Sequence, residues 1–184
     1  MHKTDVKDTV MQRPTPVDEE IVLDNTKYIE SATDTKGIIT DCNDYFAEIS
    51  GYAKAELIGK PHSIVRHPDM PKIAFKLLWD RIQHGRNITA VIKNLAKDGR
   101  YYWVFTHFEI ERDINTKEIT GYKAYRKAVS KYIKAVLDPL YKRLVEIEKE
   151  GGMEASEKAL DAFLKSGGPD VTFDNLMEEI YRFY

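Results

Sequence analysis

Residues 88–127 decide the fold, and they read ITAVIKNLAKDGRYYWVFTHFEIERDINTKEITGYKAYRK. Within them, the runs 88–95, 101–111 and 119–127 are rich in β-branched and aromatic residues, which favour strands. The two connecting segments carry turn residues, Asp98-Gly99 in the first and Asp113 to Glu118 in the second. The stretch therefore predicts three antiparallel strands joined by hairpins.

Two more strands and several short helices are predicted on the amino-terminal side of this meander. Residues 28–33 and 38–41 have strand patterns around a turn at Asp34 to Gly37. Helical patterns follow at residues 44–49, 54–58 and 71–84. Asn43 is a candidate N-cap for the first of these helices, and Gly51 is its candidate end. This order predicts an α+β fold, in which a five-stranded antiparallel sheet carries short helices on one face.

The carboxy-terminal residues 129–184 have the pattern of a helical extension. Apolar side chains recur there at spacings of four and three, at Ile133, Leu137, Leu140, Leu144 and Ile147. Because Pro139 is disfavoured inside a helix, we expect a helix to begin there, with Asp138 as its N-cap, and to end at Gly151-Gly152. Two further helices are predicted at residues 153–165 and from Phe173 to Tyr184. The apolar face of the last helix must be buried among these helices, on a second copy of the chain or on a membrane-protein partner.

The composition of the chain excludes several classes of protein. The chain has 184 residues, with 28 Lys and Arg against 30 Asp and Glu, which argues against an unaided nucleic-acid or anionic-membrane surface. Its single cysteine, Cys42, excludes a disulfide within one chain. The longest apolar run, Tyr101 to Phe105, is far shorter than the about 20 residues of a membrane span. We expect a cytoplasmic protein with a polar tail at 1–23, a domain at 24–128 and the helical extension at 129–184.

Three segments carry a resemblance to a known family. The segments NDYFAEISGY, from Asn43, and ELIGKPH, from Glu56, are similar to the first half of a PAS domain. The segment RHPDMP, from Arg66, followed by Phe75 and Trp79, is more specific and resembles the PAS sensor of the bacterial aerotaxis receptor family. The resemblance covers about residues 24–128. It implies a PAS fold and a noncovalently bound FAD.

The RHPDMP segment has both a structural and a functional interpretation. Pro71 fits the first turn of a helix, so Asp69 is a candidate N-cap that needs no ligand. The same helix start can also present Arg66 and His67 to the anionic or carbonyl groups of a cofactor. The resemblance implies that Arg66, His67 and Asp69 help to hold FAD.

Four other residues are candidates for the same site. Asn94 lies in a predicted strand, where its amide can face a pocket or an exposed sheet edge, and Asn43 is explained by capping alone. Phe75 and Trp79 are four residues apart on one helical face and can be core or pocket wall. The resemblance implies that Asn43, Asn94, Phe75 and Trp79 line the flavin site.

Aerotaxis receptors continue into a membrane anchor, a linker domain and a signalling coiled coil, which this sequence lacks. We therefore expect a homodimeric cytoplasmic redox sensor that signals through its carboxy-terminal helices to a membrane-bound chemotaxis transducer, which recruits it to the inner membrane face. The alternatives are a cofactor-free PAS docking module, a haem-binding gas sensor and a flavoenzyme. The candidate haem ligands are His62, His67, His84 and His107. No nucleophile–base motif, phosphate loop or carboxylate pair predicts an enzyme.

Overall fold

The computed structural model describes residues 13–182 and contains one five-stranded antiparallel sheet in the order β2-β1-β5-β4-β3. The strands are β1 (Ile29–Asp34), β2 (Ile39–Cys42), β3 (Ile88–Leu95), β4 (Tyr101–Arg112) and β5 (Ile119–Ala128). Between β2 and β3 lie α1 (Asp44–Ser50), α2 (Lys54–Leu57), a 3₁₀ turn (His62–Val65) and α3 (Lys72–Gln83). The chain ends in α4 (Lys131–Ser166) and α5 (Phe173–Tyr181). The predicted α+β class and sheet are confirmed.

Helices cover both faces of the sheet at β3 and β4. All eight residues of β3 are buried, which requires cover on each side because successive side chains point to opposite faces. Ile92 and Asn94 face the short helices α1–α3, whereas Val91 and Lys93 face α4 and α5. The short helices thus lie on one face as predicted, and the carboxy-terminal helices cover the other.

The apolar stripe of α4 packs on the chain's own sheet. Tyr141 is 2% exposed; its hydroxyl donates to the Val91 carbonyl oxygen at 2.9 Å, and its ring stacks on Trp103 with centroids 6.2 Å apart. On α5, the ring of Tyr181 stacks on Phe105. The buried side chains of both helices belong to the same hydrophobic core as the sheet. The apolar face of the last helix, α5, is therefore buried with the sheet, which was not among its three expected partners.

Pro139 does not begin a helix, which corrects the prediction. α4 begins at Lys131, its N-cap Ser130 accepts from the backbone N–H of Ile133, and Pro139 lies inside it. An interior proline removes one backbone hydrogen bond and costs about 3 kcal/mol. Leu137 and Tyr141, buried on either side of Pro139, anchor the helix to the sheet and offset that cost. The predicted break at Gly151-Gly152 is confirmed, since Gly152 is non-helical with φ +74° and ψ −177°.

The predicted N-cap at Asp69 is also wrong. α3 begins at Lys72, and the backbone N–H groups of Lys72 and Ile73 each donate to the carboxylate of Glu148 on α4 at 2.9 Å. A carboxylate at a helix start satisfies free N–H groups and interacts well with the helix dipole. Asp69 instead forms an ion pair with Lys93. The local cap is therefore replaced by one from a distant helix.

The amino-terminal segment is only partly within the described residues. The part of the predicted tail at residues 1–12 lies outside them, as do Phe183 and Tyr184 of the last predicted helix. Residues 17–21 run beside the start of β4, where the N–H of Ile21 donates to the Tyr101 carbonyl oxygen and the N–H of Tyr101 to that of Glu19. Within residues 13–182, no helix is long and apolar enough to cross a membrane.

Candidate functional site

A cavity of about 280 Å³ lies between the sheet and the short helices. Its sheet wall is formed by Ser31, Thr33, Ile92, Asn94, Phe108, Tyr122, Ala124 and Arg126. Its helical wall is formed by Phe75, Leu78, Trp79 and Ile82 of α3, and the rest by Lys36, Gly37, Pro61, His62, Ser63 and Arg66. The volume is close to the lower end of the roughly 300–1,000 Å³ typical of small-molecule pockets. The cavity therefore suits a compact ring system.

The aromatic residues of α3 form one wall. Phe75 and Trp79 are one turn apart, so their side chains share the face of α3 that is turned to the sheet. The Trp79 ring meets Tyr122 edge to face, with centroids 5.8 Å apart. Gly37, with φ +79°, lies so close that a Cβ there would be 3.0 Å from the Trp79 ring. This wall is flat, apolar and tightly fitted.

Arg66 and Asn94 meet at one end of the cavity. Their backbones form an isolated antiparallel bridge, which brings the residue after the 3₁₀ turn to the end of β3. The Arg66 guanidinium carbon lies 3.9 Å from the Phe75 ring centroid, a cation–π distance. Asn94 is 4% exposed, so its amide is buried at the cavity wall. This end offers a cation and a group that can both donate and accept hydrogen bonds.

Arg126 and His62 form a second polar centre, which the sequence analysis did not assign. The Arg126 guanidinium donates from Nη2 to His62 Nε2 at 2.8 Å and from Nη1 to Ser31 Oγ at 3.0 Å. Because a guanidinium has only donors, His62 Nε2 must be an unprotonated acceptor. Burial, together with the charge of Arg126, lowers the pKa of His62 to about 3. One signal was visible: strand alternation places Arg126 on the same face as the inward-facing Tyr122 and Ala124.

Four of the seven predicted site residues line the cavity, namely Arg66, Phe75, Trp79 and Asn94. Asn43 is not among the lining residues. Its Oδ1 accepts from the N–H groups of Phe46 and Glu30, and its Nδ2 donates to the Tyr28 carbonyl oxygen. Asn43 thus caps α1 and ties it to β1, which confirms the capping prediction.

His67 and Asp69 also lie outside the cavity lining. The Asp69 carboxylate is 2.8 Å from Lys93 Nζ, which lies 3.4 Å from the Asp138 carboxylate of α4. His67 Nδ1 accepts from the backbone N–H of Asp69 at 3.1 Å. Burial and the charge of Lys93 lower the pKa of His67 to about 4, so this ring is neutral at pH 7. Asp69 therefore connects the RHPDMP segment to α4 through Lys93, whereas the hydrogen bond of His67 stays within that segment.

Comparison with known proteins gives the same family as the architecture. A family model described as PAS fold matches residues 39–124. The chain is 37% identical over 135 residues to the aerotaxis receptor of Escherichia coli (strain K12). The matched region covers 73% of this chain and 25% of the receptor. It is 28% identical over 81 residues to the biofilm dispersion protein BdlA of Pseudomonas aeruginosa, covering 44% of this chain and 19% of that protein. The chain thus spans about a quarter or less of these relatives.

Solved structures agree in fold. One, of a light-oxygen-voltage domain with a flavin analogue, superimposes with a TM-score of 0.55 at 23% identity, over 62% of this chain and 87% of that one. The light-state structure of the Aureochrome1 LOV photoreceptor gives 0.54 at 20% identity, over 60% and 89%. At these identities the likeness concerns the fold. Sequence and architecture agree that residues 39–124 form a PAS domain.

Proposed function

We propose that this PAS domain holds FAD noncovalently in the cavity under α3 and acts as a redox or energy sensor. The observation that carries the proposal is the cavity itself, which combines the aromatic wall of Phe75 and Trp79 with the buried amide of Asn94 and the guanidinium of Arg66. The 37% identity to a protein named aerotaxis receptor supports it.

The lining residues fit a flavin ring chemically. Such a ring has a flat apolar body and an edge of carbonyl and N–H groups. Phe75 and Trp79 would pack on its body, and the Asn94 amide would bind its edge, because an amide can donate and accept together. The exposed Lys36 and the half-buried Arg66 would hold the phosphates.

The haem alternative is less compatible with this cavity. His62 is the histidine among the lining residues, and its Nε2 lies 2.8 Å from a donating nitrogen of Arg126. A haem ligand needs that lone pair for the iron.

Two contacts would carry a change in the cavity to α4. Asn94 faces the cavity, and the preceding residue, Lys93, emerges on the other face of β3 and pairs with Asp138 of α4. Glu148 of α4 caps α3, the helix that bears Phe75 and Trp79. Both walls of the cavity are therefore attached to one helix.

When bound, FAD supplies a redox couple whose ring differs in charge and protonation between its two states. When the protonation of the ring changes, the Asn94 amide can turn so that it accepts a hydrogen bond where it had donated one. One or two hydrogen bonds are worth about 1–3 kcal/mol, which equals a typical allosteric coupling energy. That is enough to shift α4 between two packings on the sheet.

The output of the proposed sensor is a protein contact. On α4, Tyr132 and Val136 are one turn apart and are 74% and 56% exposed, which leaves an apolar surface for a second copy of the chain. We propose a homodimer that signals to a membrane-bound chemotaxis transducer from the cytoplasm. The names of the aerotaxis receptor and the biofilm dispersion protein support a signalling role, which needs no turnover.

Replacing Asn94 by Ala tests the polar end of the site. Loss of one or two hydrogen bonds should weaken FAD binding by about 5- to 150-fold, measured by titrating the flavin-free protein with FAD. Asn87→Ala is the matched control, because Asn87 is exposed just before β3. Equal FAD affinity for Asn94→Ala and the parent protein, with both variants folded by circular dichroism, would remove Asn94 from the site.

A further inference from the structure

Arg126 is a buried cation whose partners are all neutral. It is 2% exposed, and its guanidinium donates to His62 Nε2, to Ser31 Oγ and, at 3.4 Å, to the Ala124 carbonyl oxygen. Among the ion pairs within residues 13–182, none involves Arg126. Buried charges in proteins are normally paired with an opposite charge. The guanidinium therefore has unused capacity for a negative group.

The other charged residues that line the cavity are also positive. Lys36, Arg66 and Arg126 line the cavity, and the lining contains no Asp or Glu. Thr106 lies directly opposite Arg126 on β4, so both side chains share one face of the sheet. Thr106 is fully buried, and its hydroxyl has no hydrogen-bond partner among the described residues. The cavity wall at Arg126 is thus positive, and the sheet face beside it holds a buried hydroxyl without a partner among the described residues.

Arg126 is also held in place for such a role. Ser31 on β1 and His62 before α3 fix its two terminal nitrogens, and the Phe46 ring centroid lies 5.6 Å from its guanidinium carbon. Burial lowers the pKa of Arg126 to about 10, so the group stays charged at pH 7. A fixed charge beside a cavity discriminates between ligands of different charge without rearranging.

We propose that Arg126 selects the charge of the ligand, so that the cavity binds an aromatic ligand with a negative edge in preference to its neutral counterpart. The inference rests on the proposed function when the ligand is FAD. Adding two electrons and one proton to the oxidised flavin ring gives it one negative charge. Arg126 therefore makes the domain bind reduced FAD more tightly than oxidised FAD, which raises the midpoint potential of the bound flavin.

The first test compares Arg126→Met with Lys127→Met. Both variants lose one positive charge from β5, but Lys127 lies on the outer face. With FAD bound, a dithionite titration should show a lower midpoint potential in Arg126→Met, by 30 mV or more, which corresponds to a tenfold loss of preference for the reduced form. Lys127→Met, and Arg126→Lys, which retains the charge, should each shift the midpoint potential by less than Arg126→Met does. If the midpoint potential of Arg126→Met equals that of the parent, the inference is overturned, but the proposal that the domain binds FAD stands.

The second test needs no flavin, so it separates this inference from the proposed function. Flavin-free protein is titrated with the anionic dye 8-anilinonaphthalene-1-sulfonate and with the neutral N-phenyl-1-naphthylamine. The parent should bind the anion at least tenfold more tightly, and Arg126→Met should lose that preference while unfolding at the same or a higher urea concentration. No preference in the parent, or a preference kept by Arg126→Met, overturns the inference. If the parent shows the preference but binds no FAD, only the identity of the ligand is wrong.

Discussion

Ala124→Phe is expected to abolish FAD binding while leaving the fold intact. Ala124 lies on β5 at the cavity wall, is 5% exposed and has Tyr122 and Arg126 as its neighbours on the same face. A phenyl ring added there would occupy the space between the sheet and α3 that we assign to the flavin ring. Adding atoms to a packed core costs about 1–3 kcal/mol, and the open space should keep the cost near the lower end.

The expected loss of FAD affinity is at least about a hundredfold, or about 2.8 kcal/mol, in a titration of flavin-free protein. Lys123→Phe is the matched control, because Lys123 precedes Ala124 on the same strand but points to the outer face, where it pairs with Glu111. It should bind FAD as the parent does. If Ala124→Phe also retains FAD at parental affinity, the ring does not occupy this cavity.

Tyr141→Ala is expected to lower the free energy of unfolding by about 3–5 kcal/mol, the range for removing a large buried aromatic side chain. The change removes the stacking on Trp103, breaks the hydrogen bond to the Val91 carbonyl oxygen and leaves a void between α4 and the sheet. Because β3 also carries Asn94, loss of the Tyr141 contacts should disconnect the cavity wall at Asn94 from α4. Urea unfolding measures the cost.

Two variants bracket this result. Lys149→Ala changes an exposed residue of the same helix, away from the surface of Tyr132 and Val136, and should alter the free energy of unfolding by less than about 0.5 kcal/mol. Tyr141→Phe keeps the ring and should cost about 1 kcal/mol for the lost hydrogen bond. If Tyr141→Ala costs no more than Lys149→Ala, α4 does not dock on the sheet in solution, and the proposed route from cavity to helix is wrong.

The parts of the fold that depend on local chemistry were predictable from the sequence. The strands were located to within one or two residues because alternation and turn residues are local signals, and the bounds of β3 agree fully. The same holds for α1, whose cap at Asn43 and end at Gly51 need only neighbouring backbone groups. The errors at Asp69 and Pro139 have another origin. The cap of α3 comes from Glu148, 75 residues after Ile73, and α4 continues through Pro139 because it packs on the sheet.

The candidate site likewise has a part that local sequence patterns predict and a part that they do not. Helical spacing placed Phe75 and Trp79 on one face, and that face lines the cavity. The pairing of His62 with Arg126 depends on the antiparallel register that sets Ile29 opposite Arg126, which no local pattern specifies. Inward-facing charge on a strand is the signal that sequence reasoning can use for such a residue.

The most direct test of FAD binding is the absorbance spectrum of the purified protein before and after anaerobic dithionite. We expect visible flavin bands that bleach on reduction, and release of FAD on denaturation. A spectrum with only the protein band, unchanged after FAD is added, would contradict the flavin site and leave a cofactor-free docking module. A Soret band in place of flavin bands would contradict it in favour of haem.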